Sequence, residues 1–255
     1  MHPLNYDEIA EDYDQRYRSG GPAGIAEALR WLAKQIKAQF ILEVGCGTGY
    51  WLATIKVCKF RFGLDRSSKM IKKARERDQS IMLIRGVANQ LPFGNNLFDL
   101  VFCVHALHHF NDPRSFIYEA HRILCRPGIL ALIGMDPQLE KDRWYIYDYF
   151  PETRVIDLIQ YPRGNIILNW MEETDFKRCE RRIAASIEYD FIGHEVLNDP
   201  ILQKEGTSQL SLLSNGEFSK GMGKIESVLH QAELCGERIF FPVHISFPIV
   251  YGFLP

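Results

Sequence analysis

The chain has no C-x-x-C pair, no internal repeat, no low-complexity tract and no apolar run near the ~18 residues that a membrane helix needs. Its six cysteines, at 46, 58, 103, 125, 179 and 235, are scattered, so neither a zinc nor a disulfide framework is expected. Four of them fall in or beside apolar segments, as buried reduced thiols do. An excess of one charge is also missing: Lys+Arg 30 against Asp+Glu 32 leaves a formal charge of -2, which offers a polyanion little to grip. The single basic cluster, Lys177, Arg178, Arg181 and Arg182, is expected on a solvated strand or loop edge. No nucleic acid, membrane or metal partner is expected. The opening residues, Met-His-Pro-Leu-Asn-Tyr-Asp-Glu, have no basic n-region and no apolar h-region, so the expectation is a soluble, cytoplasmic protein.

What is present is ordinary globular composition, 46% hydrophobic and 24% charged in 255 residues, enough for one domain with a substantial insertion. Apolar residues at Ile25, Leu29, Leu32 and Ile36 mark a helix over Ala23–Lys37, opened by Gly20-Gly21-Pro22. Short apolar runs then alternate with helical stretches. Strands are expected at Phe40–Val44, Phe60–Leu64, Ile81–Ile84, Phe98–Val104 and Ile129–Met135. Ser67 and Asp112-Pro113 cap two of the intervening helices. This alternation predicts an α/β, Rossmann-like doubly wound sheet of seven strands, mostly parallel with an antiparallel last strand, plus a helical insertion.

The domain reading is a single unit over 1–255. It comprises an N-terminal helical segment at 1–38, a cofactor-binding core at 39–135, an aromatic and helical cap at 136–176 and an insertion at 188–238. The last two strands are expected at Arg178–Ile187 and Phe240–Tyr251. Ser214-Asn215-Gly216-Glu217 forms a capping box for a helix that stops at Gly236.

The chemistry gathers at Glu43-Val44-Gly45-Cys46-Gly47-Thr48-Gly49, where a strand enters a helix through a turn in which a Cβ would obstruct either the turn or a ligand. A dinucleotide site is one reading, but nucleotide-phosphate loops favour G-x-G-x-x-G, and these glycines fall at 45, 47 and 49. Asp65, closing the second strand, is placed to accept hydrogen bonds from both ribose hydroxyls.

At this point the sequence resembles the class I S-adenosylmethionine-dependent methyltransferases. Ile41–Gly49 is similar to their first motif and Gly63-Leu64-Asp65 to their second. Gly86–Phe93 with Phe98-Asp99-Leu100-Val101 resembles the adenine loop and fourth strand, and Leu124–Gly128 resembles the turn before the fifth. Tyr6–Asp14 is similar to the N-terminal segment of the small-molecule branch, which includes the quinone-biosynthesis enzymes. The likeness spans about residues 6 to 135. It implies S-adenosylmethionine as cofactor, S-adenosylhomocysteine as product and a small-molecule acceptor. It also implies cofactor contacts at Glu43, Gly45, Cys46, Gly47, Gly49, Asp65, Arg66, Val87, Ala88 and Val104, with Cys46 a spacer and not a nucleophile. One departure stands out: Val87 occupies the position where the family carries the aspartate that accepts the adenine amino hydrogen, leaving Ala88 and Asn89 to read the base.

The methyl group on a sulfonium is already activated, so alignment and exclusion of water are the protein's main tasks. His105, His108 and His109 follow the fourth strand at the edge where such sheets bind ligands. His105 is the candidate base, and His109 a candidate acceptor contact. Tyr13 and Tyr6 are placed to close over the sulfonium. The aromatic run Trp144–Phe150 follows the fifth strand. With Met135–Tyr161 and part of Asn198–Gly236 it is expected to roof the pocket, Tyr145 and Tyr149 facing the acceptor. Two alternatives remain: a protein that binds the cofactor without chemistry, and a nicotinamide-dependent oxidoreductase.

Overall fold

The computed structural model describes residues 6–11, 13–17 and 21–255. Among them the sheet holds eight strands: β1 (Phe40–Val44), β2 (Phe60–Asp65), β3 (Met82–Arg85), β4 (Phe98–Val104), β5 (Leu124–Ile133), β6 (Arg143–Trp144), β7 (Lys177–Ile192) and β8 (Phe240–Leu254). Their order is β3-β2-β1-β4-β5-β8-β6, with β7 also pairing β8. The pairs from β3 to β5 are parallel, and β8 runs antiparallel to β5, β6 and β7. This is the expected Rossmann-like arrangement. The eighth strand is the two-residue β6, too short to leave a periodic signal.

β1 and β4 are nearly all buried because helices cover both faces of the sheet. Helix Ala23–Gln35 buries Ile25, Leu29 and Leu32 and lies on β7, where a Cβ on Gly24 would sit 2.2 Å from the carbonyl oxygen of Ala184. The expected caps form: Ser67 Oγ accepts from Met70 N, and Asp112 Oδ1 from Ser115 N. Ser214 and Glu217 complete the capping box, and Gly236 ends that helix in the left-handed region.

β7 runs on to Ile192, so the insertion leaves the sheet at Gly193 and not at 188. Two long strands pair along almost their whole length, Lys177↔Phe253 to Ile192↔Phe240. The basic cluster lies on β7, which among the described residues pairs only with β8. Arg181 pairs with the buried Asp136, and Arg182 with Glu180 on the exposed side.

Candidate active site

β1 and β2 lie side by side, so their C-terminal ends meet. Gly45 N and Cys46 N both donate to Leu64 O, at 2.8 and 3.0 Å, which pins the glycine loop to the end of β2. Gly45 and Gly47 take φ of 74° and 51°, a region costly for residues with a Cβ. A Cβ on Gly45 would lie 2.5 Å from the Ala106 methyl, whereas one on Gly47 would project into the gap beneath Tyr13, 3.8 Å from its ring. Gly47 therefore leaves open a cradle that a side chain would fill.

Asp65 closes the cradle. Its Oδ2 accepts from Gly47 N and its Oδ1 from Ser67 N, each at 2.8 Å, leaving further lone pairs toward the cleft. Burial pushes this carboxyl above its ordinary range, opposed by those backbone hydrogen bonds. Leu64, Met70, Val87 and Ala88 supply apolar wall, and Asn89 lies beside them. A carboxylate and loop backbone at one end and an apolar slot at the other suit an adenosyl group.

The expected cofactor residues divide into two groups. Tyr13, Gly45, Gly47, Asp65, Arg66, Val87, Ala88 and Val104 line the cleft. Glu43, Cys46 and Gly49 do not, and their placement corrects the expectation of direct contact. Glu43 is 1% exposed and takes a backbone hydrogen bond from Leu52, and burial holds its carboxyl well above the usual range. The Cys46 thiol is buried against the position of Gly63 and is likewise pushed well up by burial, which suits a spacer. Gly49 packs on Ala74, where a Cβ would approach the alanine methyl to 3.1 Å. All three support the loop from behind. Phe110, Asn111 and Met70 line the cleft without having been expected.

The N-terminal segment crosses above the loop, held by charge. Asp7 accepts from Ser67 Oγ and Lys69 N, Glu11 pairs with Lys73, and Asp14 takes Thr48 Oγ1 at 2.6 Å and pairs with Arg77. These contacts bring Tyr6 and Tyr13 over the cleft, their rings edge to face at 6.1 Å. The Tyr6 hydroxyl hydrogen-bonds His109 Nε2.

His105 lines the cleft in a left-handed conformation, φ 51°, its N–H donating to Ile133 O at 2.8 Å and its ring edge-on to Phe247. His108 stacks on Tyr161 at 4.0 Å. Burial, with the adjacent His109 and His105 rings, lowers the His108 pKa well below its ordinary value, so that ring is neutral.

A second cavity, of about 650 Å³, opens on the far side of these histidines. Tyr6, Tyr13, His105 and His109 line both cavities. From the expected roof come Met135, Trp144, Tyr161 and segments within Asp199–Gln209. The tyrosines of the aromatic run do not reach it, which corrects their assignment as acceptor contacts. Tyr145 and Tyr149 are one helical turn apart, on the face of helix Tyr145–Tyr149 that packs on Phe241 of β8. Tyr145 is fully buried, and its hydroxyl donates to Asp199 Oδ2 at 2.7 Å from behind the wall. The wall itself comes from β7 and β8, through Ile187, Tyr189, Val243, Ile245 and Phe247, none of which was expected in the site.

Residues 42–132 match the family model described as a methyltransferase domain. The demethylmenaquinone methyltransferase of Lactiplantibacillus plantarum is 32% identical over 206 residues, covering 72% of this chain and 81% of that protein. The chain belongs to the class I S-adenosylmethionine-dependent methyltransferases. The nicotinamide-dependent alternative gives way with that finding. The demethylmenaquinone methyltransferase of Thermotoga maritima is 29% identical over 157 residues, 59% of this methyltransferase and 69% of that one. The fold is shared with a candidate methyltransferase from an antibiotic biosynthesis pathway of Anabaena variabilis, at TM-score 0.69 and 21% identity over 92% of this chain and 98% of that one. It is shared too with Haemonchus contortus phosphoethanolamine N-methyltransferase 2, solved with phosphomonomethylethanolamine and S-adenosylhomocysteine. That likeness has a TM-score of 0.59 at 18% identity, over 98% of this chain and 57% of that one. S-adenosylmethionine is accordingly the cofactor of this methyltransferase. Among the described residues no helix is long and apolar enough to cross a membrane.

Proposed function

We propose that this methyltransferase transfers a methyl group to a small, largely apolar and planar acceptor held in the 650 Å³ cavity. One observation carries the reading: the cleft beside the glycine loop and the larger cavity meet at Tyr6, Tyr13, His105 and His109. S-adenosylmethionine supplies the methyl group as a sulfonium. The glycine loop and Asp65 hold the adenosyl end, while Val87, Ala88 and Asn89 bound the base. The faces of Tyr6 and Tyr13 favour positive charge between the two cavities. His105 takes the proton from an acceptor hydroxyl or ring carbon, and His109 orients the acceptor through its link to Tyr6. The aromatic walls exclude water. The demethylmenaquinone relatives and the rice 2-methyl-6-phytyl-1,4-hydroquinone methyltransferase, 26% identical over 146 residues, support a hydroxylated aromatic acceptor.

The test is S-adenosylhomocysteine release with a panel of phenols and hydroquinones, comparing the wild type with His105→Asn. Asparagine tolerates the left-handed backbone at that position. Turnover should fall by about 10²-fold or more, far beyond any change in cofactor affinity at this shared wall. Undiminished turnover in the variant would remove the base from His105, and no turnover on any aromatic acceptor would sink the acceptor class.

A further inference from the structure

At a part of the large cavity that the cofactor cleft does not share, Asp199 lines the wall although it is only 5% exposed. Its Oδ2 accepts from Tyr145 Oη at 2.7 Å and its Oδ1 from Ile201 N at 3.0 Å. Two neutral donors fix the direction of the carboxylate without neutralising it, and each oxygen keeps a lone pair. Among the described residues, no lysine or arginine lines the cavity, and Asp199 is its only carboxylate. Nearby, Gln209 donates to Asp157 Oδ2 at 3.2 Å, so a second carboxyl group stands behind the same wall. Trp144, Tyr189 and Phe191 line the same cavity with Thr207, Ser208 and Gln209, and aromatic rings favour a cation. Burial raises the Asp199 pKa, as expected for a carboxylate removed from water without a counter-ion.

Resting on the reading of this cavity as the acceptor site, we infer that the acceptor carries a protonated amine and that Asp199 anchors it. Asp199 does not line the cofactor cleft, so the amine is an anchor and not the methylated atom. The ion pair holds one end of the acceptor and leaves its reacting end among His105, His109, Tyr6 and Tyr13. The same carboxylate repels acceptors with a carboxylate or phosphate at that end.

Three matched probes test this: tyramine, 4-ethylphenol and 3-(4-hydroxyphenyl)propionate, cationic, neutral and anionic at one end of the same phenol. Binding to the full chain saturated with S-adenosylhomocysteine is measured by calorimetry near neutral pH, for the wild type, Asp199→Asn and Tyr189→Lys. The asparagine retains an oxygen for Tyr145. The lysine brings a rival cation to a half-exposed position beside Asp199. Tyramine should bind the wild type roughly tenfold or more tighter than 4-ethylphenol, with the propionate weakest, and both variants should reduce that gap to about twofold or less. Equal binding of tyramine and 4-ethylphenol, a gap that survives in both variants, or no binding of tyramine would overturn the anchor. Methyl transfer to 4-ethylphenol as efficient as to tyramine would sink the anchor and leave the acceptor reading standing. Asp199-dependent tyramine binding with no methyl transfer to any probe would do the reverse.

Discussion

Asp65 serves two purposes at once: it holds the glycine loop through Gly47 N and faces the cofactor cleft. Asp65→Ala removes charge-assisted hydrogen bonds of about 1.5–3 kcal/mol, so cofactor affinity should fall roughly 10- to 150-fold in a calorimetric titration. Unchanged affinity would remove it from the ribose. Val87 is 49% exposed at the edge of the same cleft, with room for a carboxylate. Val87→Asp restores the acceptor the family carries there and should tighten binding by about 1–2 kcal/mol at most, since a new charge must also be desolvated. No gain would mean that Asn89 already satisfies the adenine amino group.

Two elements carry predictions of their own. The N-terminal segment lies over the glycine loop through Asp14, which takes Thr48 and Arg77 together. Asp14→Ala should speed S-adenosylhomocysteine dissociation several-fold in stopped flow, because Tyr13 is then held less firmly. An unchanged off-rate would show that Asp7 and Glu11 suffice. Helix Pro151–Gln160 carries Asp157, fully buried, whose carboxyl burial pushes up to about 7 against a lowering hydrogen bond from Tyr147. An unfolded chain loses this proton near pH ~4, so between about pH 4 and 7 the folded state binds more protons and stability falls as pH rises. The stabilisation is complete below the unfolded value and lost once pH has risen through the folded one. Asp157→Asn keeps an oxygen for Tyr147 and cannot titrate. Urea midpoints of the two proteins should converge near pH ~4 and separate toward pH ~8, with the variant more stable there by roughly 1–4 kcal/mol. Parallel midpoints across that range would contradict the assignment.

At the scale of the whole molecule, the cofactor cleft lies on the parallel half of the sheet and the large cavity on the antiparallel half. Ile245 is 5% exposed and lines the large cavity but not the cofactor cleft. Ile245→Trp should raise KM for the acceptor or abolish turnover while leaving cofactor affinity within about 0.5 kcal/mol, as for an independent site. Parallel loss of cofactor binding would show that the two halves are not separable. The cofactor half was legible because its signals are local. Strand, glycine turn and capped helix follow each other within a few residues, and the spacing at 45, 47 and 49 marks the turn directly. What was misread there, the contacts at Glu43, Cys46 and Gly49, lies one layer behind the ligand, and spacing does not separate lining from support.

The half that holds the large cavity was illegible for a different reason. Its wall is set by the β7–β8 register, in which Ile187 faces Ile245 and Tyr189 faces Val243. A slip of one residue would turn each of these side chains to the other face, and neither strand states its register alone. Tyr145 and Tyr149 look exposed to a ligand in sequence, but one-turn spacing aims both at Phe241, a partner that only folding supplies. Asp199, followed by Pro200, reads as turn punctuation until the chain carries it into the cavity. Local geometry, written in glycines, caps and apolar periods, determined the sheet and the cofactor loop. The shape and charge of the large cavity were decided by long-range pairing, because its walls come from segments more than 100 residues apart whose contacts have no counterpart along the chain.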